Sequence, residues 1–323
     1  MTIPKETMRA LYRDMLRTRR VELRIDALYL DDNMKTPIHT YIGQEAIAAG
    51  VCAHLKKNDP MFTTYRSHGQ YLSKGGDLNA IIAELHCKAT GCSGGYGGSM
   101  HVIDVAAGHY GSSAIVASTV PIATGMALAQ KMKKTGAITT VFFGDGATDE
   151  GVFYESVNFA MLKQLPILYV LEDNGWAVCS PTTARHAGEN VYHRVDPELM
   201  FTRTVDGNDV LAVYQVAHEA MEHIRATGRP ALIECDTYRT RPHNGSGYDF
   251  KLGFREEAEV RAWEEKDPIP AFESVLIEFG AMSRDDMNAL LAEIEAEVDD
   301  AFVYAESSPL PDTSKLLANV YRA

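Results

Sequence analysis

Between residues 138 and 238, uninterrupted apolar runs alternate with stretches of helical periodicity, and this alternation constrains the fold more than any other feature. The runs at 138–143, 166–172 and 231–238, and a shorter one near 201–205, read as strands. Helices are expected over 121–133, from about 149 to 163, and over 210–226. Strands without polar alternation are buried on both faces, as parallel strands are. Strand–helix–strand order of this kind implies an α/β fold with a doubly wound, mostly parallel sheet. Extra helices flank it. The N-terminal part, about 1–60, holds helices expected at 5–31 and 44–55; a short strand at 61–65 and a helix at 79–88 follow. The C-terminal part, about 254–323, is helical and acidic, with a last helix at 284–302. The whole of 1–323 reads as one domain.

Composition narrows the partners. With 31 basic and 44 acidic residues the net charge is −13, which argues against a general nucleic-acid surface. No apolar run approaches the ~18 residues of a membrane span, and the first twenty residues lack the apolar stretch of a signal peptide. Five cysteines, odd in number and scattered, point to a reduced cytoplasmic protein. Cys87 and Cys92 lack the second pair that a zinc site needs. Arg9, Arg13, Arg17, Arg20 and Arg24 give the first helix a basic face, either solvated or a docking surface for an acidic partner. Gly91, Gly94, Gly95, Gly97, Gly98, Gly108 and Gly111 make 91–113 read as one long loop, and such loops tend to be functional. His218 and His223, spaced one residue too far apart for a helical zinc motif, read as surface residues.

The chemistry concentrates after residue 141. One strand ends in Gly144-Asp145-Gly146-Ala147 before a helix, and the next ends in Glu172-Asp173-Asn174. Ligands of open α/β sheets sit beyond the carboxyl ends of strands. A helix N-terminus there offers free N–H groups to phosphate. A carboxylate inside such a turn repels a bare diphosphate unless a divalent cation lies between them. Asp145 and Asn174, at the same edge of adjacent strands, offer hard oxygen ligands of the kind Mg²⁺ takes together with phosphate oxygens. Neither a dinucleotide G-x-G-x-x-G nor a P-loop occurs at a strand–helix turn.

At these residues the chain resembles the alpha subunits of the thiamine diphosphate-dependent decarboxylating component of 2-oxo acid dehydrogenases, of the pyruvate, branched-chain and acetoin types. The resemblance runs from about Met8 to Ala323. It includes Gly43-Gln44-Glu45-Ala46, Thr64-Tyr65-Arg66-Ser67-His68-Gly69, Gly97-Gly98-Ser99-Met100-His101, Val120-Pro121, Leu165-Pro166 and Asp236-Thr237-Tyr238-Arg239. It implies the thiamine diphosphate-binding fold, with thiamine diphosphate and Mg²⁺ as cofactors. The implied metal ligands are Asp145, Asn174 and the carbonyl of Trp176. Gly146, Ala147, Tyr65 and Arg66 would touch the diphosphate and Val116 the middle of the cofactor. His243 would stand next to the reacting carbon and His39 at the substrate, both as near-neutral proton carriers. The implied activity is decarboxylation of a 2-oxo acid, with the acyl group passed to a lipoyl acyltransferase. The implied partner is a beta subunit in an α2β2 heterotetramer that contributes the activating glutamate, and the glycine-rich stretch and the basic first helix are expected at that contact. Asp173 and Trp176 replace a more usual asparagine and tyrosine, and the 241–248 loop departs from the family pattern. That loop leaves open a thiamine diphosphate-dependent ligase or transketolase-like subunit without a lipoyl acceptor, and the 2-oxo acid itself. A non-enzymatic assembly subunit is the third alternative, and the intact Asp145–Asn174 pair argues against it.

Overall fold

A computed structural model describes residues 3–31, 33–188, 195–315 and 317–318. The strands are β1 Met61–Thr64, β2 His109–Ser113, β3 Thr139–Gly144, β4 Ile167–Asp173, β5 Trp176–Ala177, β6 Ser180–Pro181, β7 Phe201–Asp206 and β8 Ala231–Asp236. The α-helices are α1 Lys5–Leu28, α2 Glu45–Cys52, α3 His68–Ser73, α4 Leu78–Leu85, α5 Thr119–Lys133, α6 Gly151–Lys163, α7 Val210–Thr227, α8 Glu257–Glu264, α9 Pro268–Glu278 and α10 Arg284–Ser307. Six strands form one parallel sheet in the order β2-β1-β3-β4-β8-β7, and β5 and β6 make a separate antiparallel ribbon.

The uninterrupted apolar strands are explained by two covered faces. Val141 and Phe143 of β3, with Ile167, Tyr169 and Leu171 of β4, pack with Ala123 and Ala127 of α5 and Phe153 and Val157 of α6. The intervening Phe142, Leu168 and Val170 point the other way, onto Ile47 and Val51 of α2 and Val213, Ala217 and Met221 of α7. Local chemistry sets the ends of α7: the Asp209 carboxylate accepts from the N–H groups of Leu211 and Ala212, and Gly228 closes it at φ +68°.

The basic face of α1 finds acidic partners within the chain. Arg13 and Arg17 pair with Glu293 and Glu297 at 2.8 and 2.7 Å; Arg20 pairs with Glu295 and Arg24 with Asp299. The acidic partner is α10 of the same chain, while Arg9 and Arg13 stay exposed, as a solvated face would have them. Beneath the charges, Met8, Leu11 and Met15 join Ile294, Val298 and Phe302 in one buried cluster.

The glycine-rich segment is also not one loop. Its end is β2, an edge strand of small polar residues paired with β1, which carries no apolar run to betray it. Its start wraps a single carboxylate. Buried Glu84 of α4 accepts from the backbone N–H groups of Ser93, Gly95, Gly97 and Gly98 at 2.8–2.9 Å. A Cβ on Gly97 would lie 2.1 Å from the His101 carbonyl, and Gly98 holds φ +59°. The glycines therefore let the chain close on Glu84. His218 and His223 are partly exposed, with their rings tilted against His54 and Phe201 respectively.

Candidate active site

From β1 the chain steps to β2 on one side of the sheet and to β3 and β4 on the other. The loops leaving the carboxyl ends of β1 and β3 therefore diverge, and a crevice opens between them. A cavity of about 70 Å³ lies there, lined by Gln44, Thr64, Tyr65, Arg66, Val116, Gly144, Asp145, Gly146, Ala147, Glu172, Asn174, Trp176, Ala177, Val178 and His243. Every residue singled out from the sequence lines it except His39. His39 lies directly behind, its ring centroid 4.5 Å from Tyr65 and 5.1 Å from His243. A larger cavity of about 500 Å³ lies elsewhere, bounded by Asp206, Asn208, Asp209, Asp236, Trp263, Lys266 and Phe272, and includes none of the residues assigned to the cofactor.

One wall of the smaller cavity is anionic and rich in oxygen. Asp145, almost fully buried, opens a short 3-10 turn directly after β3. Its carboxylate accepts from Thr182 Oγ1 at 3.1 Å and carries the Arg185 guanidinium as an ion pair. The Asn174 amide nitrogen donates to Gln44 Oε1 at 3.0 Å. That bond fixes the amide, so Oδ1 is the end facing Trp176, whose N–H reaches it at 3.3 Å. Asp173 Oδ1 accepts from the Gly175 N–H at 3.0 Å, an acceptor role that the carboxylate fills as well as an asparagine would. Burial first, then the neighbouring Asp145, pushes the Asp173 carboxyl up to about 7.

The opposite wall is cationic. Arg66 is buried, and its guanidinium donates to two carbonyls, Thr40 at 2.6 Å and His243 at 3.0 Å. Among the described residues no carboxylate lies within ion-pair distance of it. A buried guanidinium with only neutral partners is costly until an anion joins it. Burial first, then the Arg66 guanidinium, holds both histidines far below the usual imidazole range: His39 to about 2, and His243, with Arg239 adding to the effect, to about 3. The near-neutral titration expected of them is thus corrected; both rings are neutral at physiological pH.

The atypical 241–248 loop is pinned at several points. Gly245 N–H donates to Ile38 O and Gly247 N–H to Asp26 Oδ1, both at 2.9 Å. Arg241 stacks on Tyr248 at 4.4 Å, and Asp249 is clamped by Arg239 and Arg255. Two strained residues flank the cavity. Ala117, next to Val116, holds φ +60°, and Val178 holds φ +55°. Such conformations cost about 1–3 kcal/mol each and persist where the surroundings enforce them; Arg239 grips the Val178 carbonyl at 3.2 Å.

Several lining residues were not singled out from sequence. Gln44 sits inside a quoted motif, and Glu172 lies two residues before Asn174; either position could have flagged them. Glu172 receives the Tyr41 hydroxyl and Gln70 Nε2, and burial pushes its carboxyl up to about 7. Val178, and Arg185 behind the lining on Asp145, had no sequence signal, because the ribbon that places them has only two residues per strand.

This is an α/β crevice with oxygen ligands on one side and an unpaired guanidinium on the other, suited to an anionic ligand carried with a divalent cation. The family model described as "Dehydrogenase E1 component" matches residues 13–314, and the chain belongs to that family. Over 323 residues it is 38% identical to the alpha subunit of acetoin:2,6-dichlorophenolindophenol oxidoreductase of Bacillus subtilis (strain 168), covering 99% of this chain and 95% of that one. It is 33% identical to the pyruvate dehydrogenase E1 component subunit alpha of Rickettsia bellii (strain RML369-C), covering 98% and 96%. It is 38% identical to the mitochondrial pyruvate dehydrogenase E1 component subunit alpha-1 of Oryza sativa subsp. japonica, covering 99% and 81%. It is an alpha subunit of the thiamine diphosphate-dependent 2-oxo acid dehydrogenase kind. The expected fold and family are borne out.

Proposed function

We propose that this chain, acting as one α/β domain, supplies the metal–diphosphate half of a two-chain active site. The observation that carries this is the opposition of Asp145 and Asn174 to the unpaired Arg66 across one crevice. The donor set fits the cofactor. Asp145, Asn174 and the Trp176 carbonyl would hold Mg²⁺; Gly146, Ala147, Tyr65 and Arg66 would hold the diphosphate. Val116, which lines the cavity next to the strained Ala117, would contact the cofactor's middle. When bound, thiamine diphosphate supplies the electron sink for loss of CO₂. The protein's part is placement and proton handling. His243, neutral and held through its carbonyl by Arg66, would stand next to the reacting centre, where its ring can give or take a hydrogen bond. His39, neutral and packed on Tyr65 and His243, orients both rings and faces the substrate carboxylate side. Burial raises the Tyr65 hydroxyl pKa, so it remains a donor.

The crevice also supports a partner. Its 70 Å³ is far below the roughly 300–1,000 Å³ of a complete small-molecule pocket. Two of its lining residues, Val116 and Val178, are apolar and exposed, and Ile115 and Ile122, close to Val116 in the chain, are exposed as well. A beta subunit closing on these residues, in an α2β2 assembly, would bring the glutamate that activates the cofactor. The acyl acceptor is a lipoyl acyltransferase and the substrate a small 2-oxo acid. A cytoplasmic location belongs to this reading; it is supported by five unpaired cysteines, and no helix among the described residues is long and apolar enough to cross a membrane. The test is reconstitution. The purified chain with thiamine diphosphate and Mg²⁺ is expected to show no 2-oxo acid decarboxylation, and addition of its beta subunit to restore it. Full turnover by the chain alone would contradict the proposal.

A further inference from the structure

Asp145 already carries a cation. The ribbon of β5 and β6 folds the following turn, 182–185, back over the end of β3. There the Arg185 guanidinium bridges the Asp145 and Asp149 carboxylates and touches Thr182 Oγ1 at 3.3 Å. His186 Nε2 anchors the same turn to Asp149 Oδ1 at 2.8 Å. The two carboxylates differ in their surroundings: the Asp145 side chain is 2% exposed and that of Asp149 34%.

We propose that Arg185 is a placeholder cation, which neutralises Asp145 until the metal arrives and then pivots onto Asp149. This rests on the assignment of Asp145 as a metal ligand. The argument is electrostatic. A buried carboxylate without a counter-charge is strongly destabilising, so an unloaded site needs Arg185. A dication on the same carboxylate would face the guanidinium across one side chain in a poorly screened site, and like charges at such distances repel strongly. Asp149 gives the guanidinium a second, wetter anchor already in contact, so the exchange needs rotation of one side chain and no unfolding of the turn. Metal affinity is then lowered by the fraction of molecules in which Arg185 occupies Asp145.

The test uses Arg185→Gln and the charge-retaining Arg185→Lys in the chain assembled with its beta subunit. Mg²⁺ is titrated calorimetrically at saturating thiamine diphosphate, and thermal midpoints are recorded without metal. Arg185→Gln is expected to lower the metal-free midpoint and to tighten the Mg²⁺ Kd about tenfold, as removal of a competitor does. Arg185→Lys, which keeps the charge without the fork, should fall between it and the wild type, and suffices if the glutamine variant does not fold. Unchanged or weaker Mg²⁺ binding in both variants would overturn the proposal, since a guanidinium that stays in the loaded site would help hold the diphosphate. Failure of the underlying assignment looks different: the wild-type assembly would then show no Mg²⁺ dependence of thiamine diphosphate binding.

Discussion

Asp145→Ala abolishes Mg²⁺-dependent thiamine diphosphate binding by the assembled protein. Asp145 is the carboxylate of the proposed ligand set and lies on the wall facing Arg66. Loss of an outer-shell partner alone costs metal sites about 10–100-fold in affinity, and loss of a direct ligand exceeds that. The fold survives, because Asp145 sits beyond the end of β3 and Arg185 keeps its pair with Asp149. Asn174→Ala gives the same loss in milder form, with the added cost of the hydrogen bond to Gln44, about 1 kcal/mol. Calorimetric titration checks both, with circular dichroism as the control for folding. Unchanged affinity in both variants would defeat the metal assignment.

His243→Ala retains cofactor binding but loses turnover by about 10²-fold or more, the usual worth of a positioned acid or base. Its pH behaviour follows from the ring's surroundings. Burial, Arg66 and Arg239 hold its pKa near 3, so the ring stays neutral from pH 8 down to pH 5. The acid limb of the wild-type kcat/KM profile in that range therefore belongs to other groups. His243→Ala should lower the whole profile and leave that limb in place. Near wild-type turnover would make His243 a bystander, and a shifted limb would show that the ring titrates in the working enzyme.

The parts of this molecule legible in its sequence are those where one local rule decides. Buried parallel strands have no polar alternation, so β3, β4 and β8 stand out as apolar runs. Asp145 and Asn174 stand out because strand-end chemistry is local, and the parallel register of β3 and β4 carries both to one edge. What was not legible depends on distant partners. The arginines of α1 resemble a docking face until α10, some 280 residues on, supplies its acidic row. The glycines after residue 90 resemble a loop until Glu84 is seen to hold their N–H groups. The histidines read as near-neutral from sequence because their burial and the nearby Arg66, which together depress both, come from distant parts of the chain. Arg185 falls in a turn whose position over β3 comes from two antiparallel residue pairs.

The most direct measurement is the position of the metal itself. Crystals of the assembled enzyme with thiamine diphosphate and Mn²⁺ in place of Mg²⁺ give anomalous density that locates the ion without assuming its ligands. The account predicts one peak within metal–oxygen bonding distance of the Asp145 carboxylate, Asn174 Oδ1 and the Trp176 carbonyl, with Arg185 turned onto Asp149. A second acidic group lies nearby: Asp173, Glu234 and Asp236 bring carboxylate oxygens within 4.8 Å of one another. A peak there, with Asp145 still paired to Arg185, would contradict it.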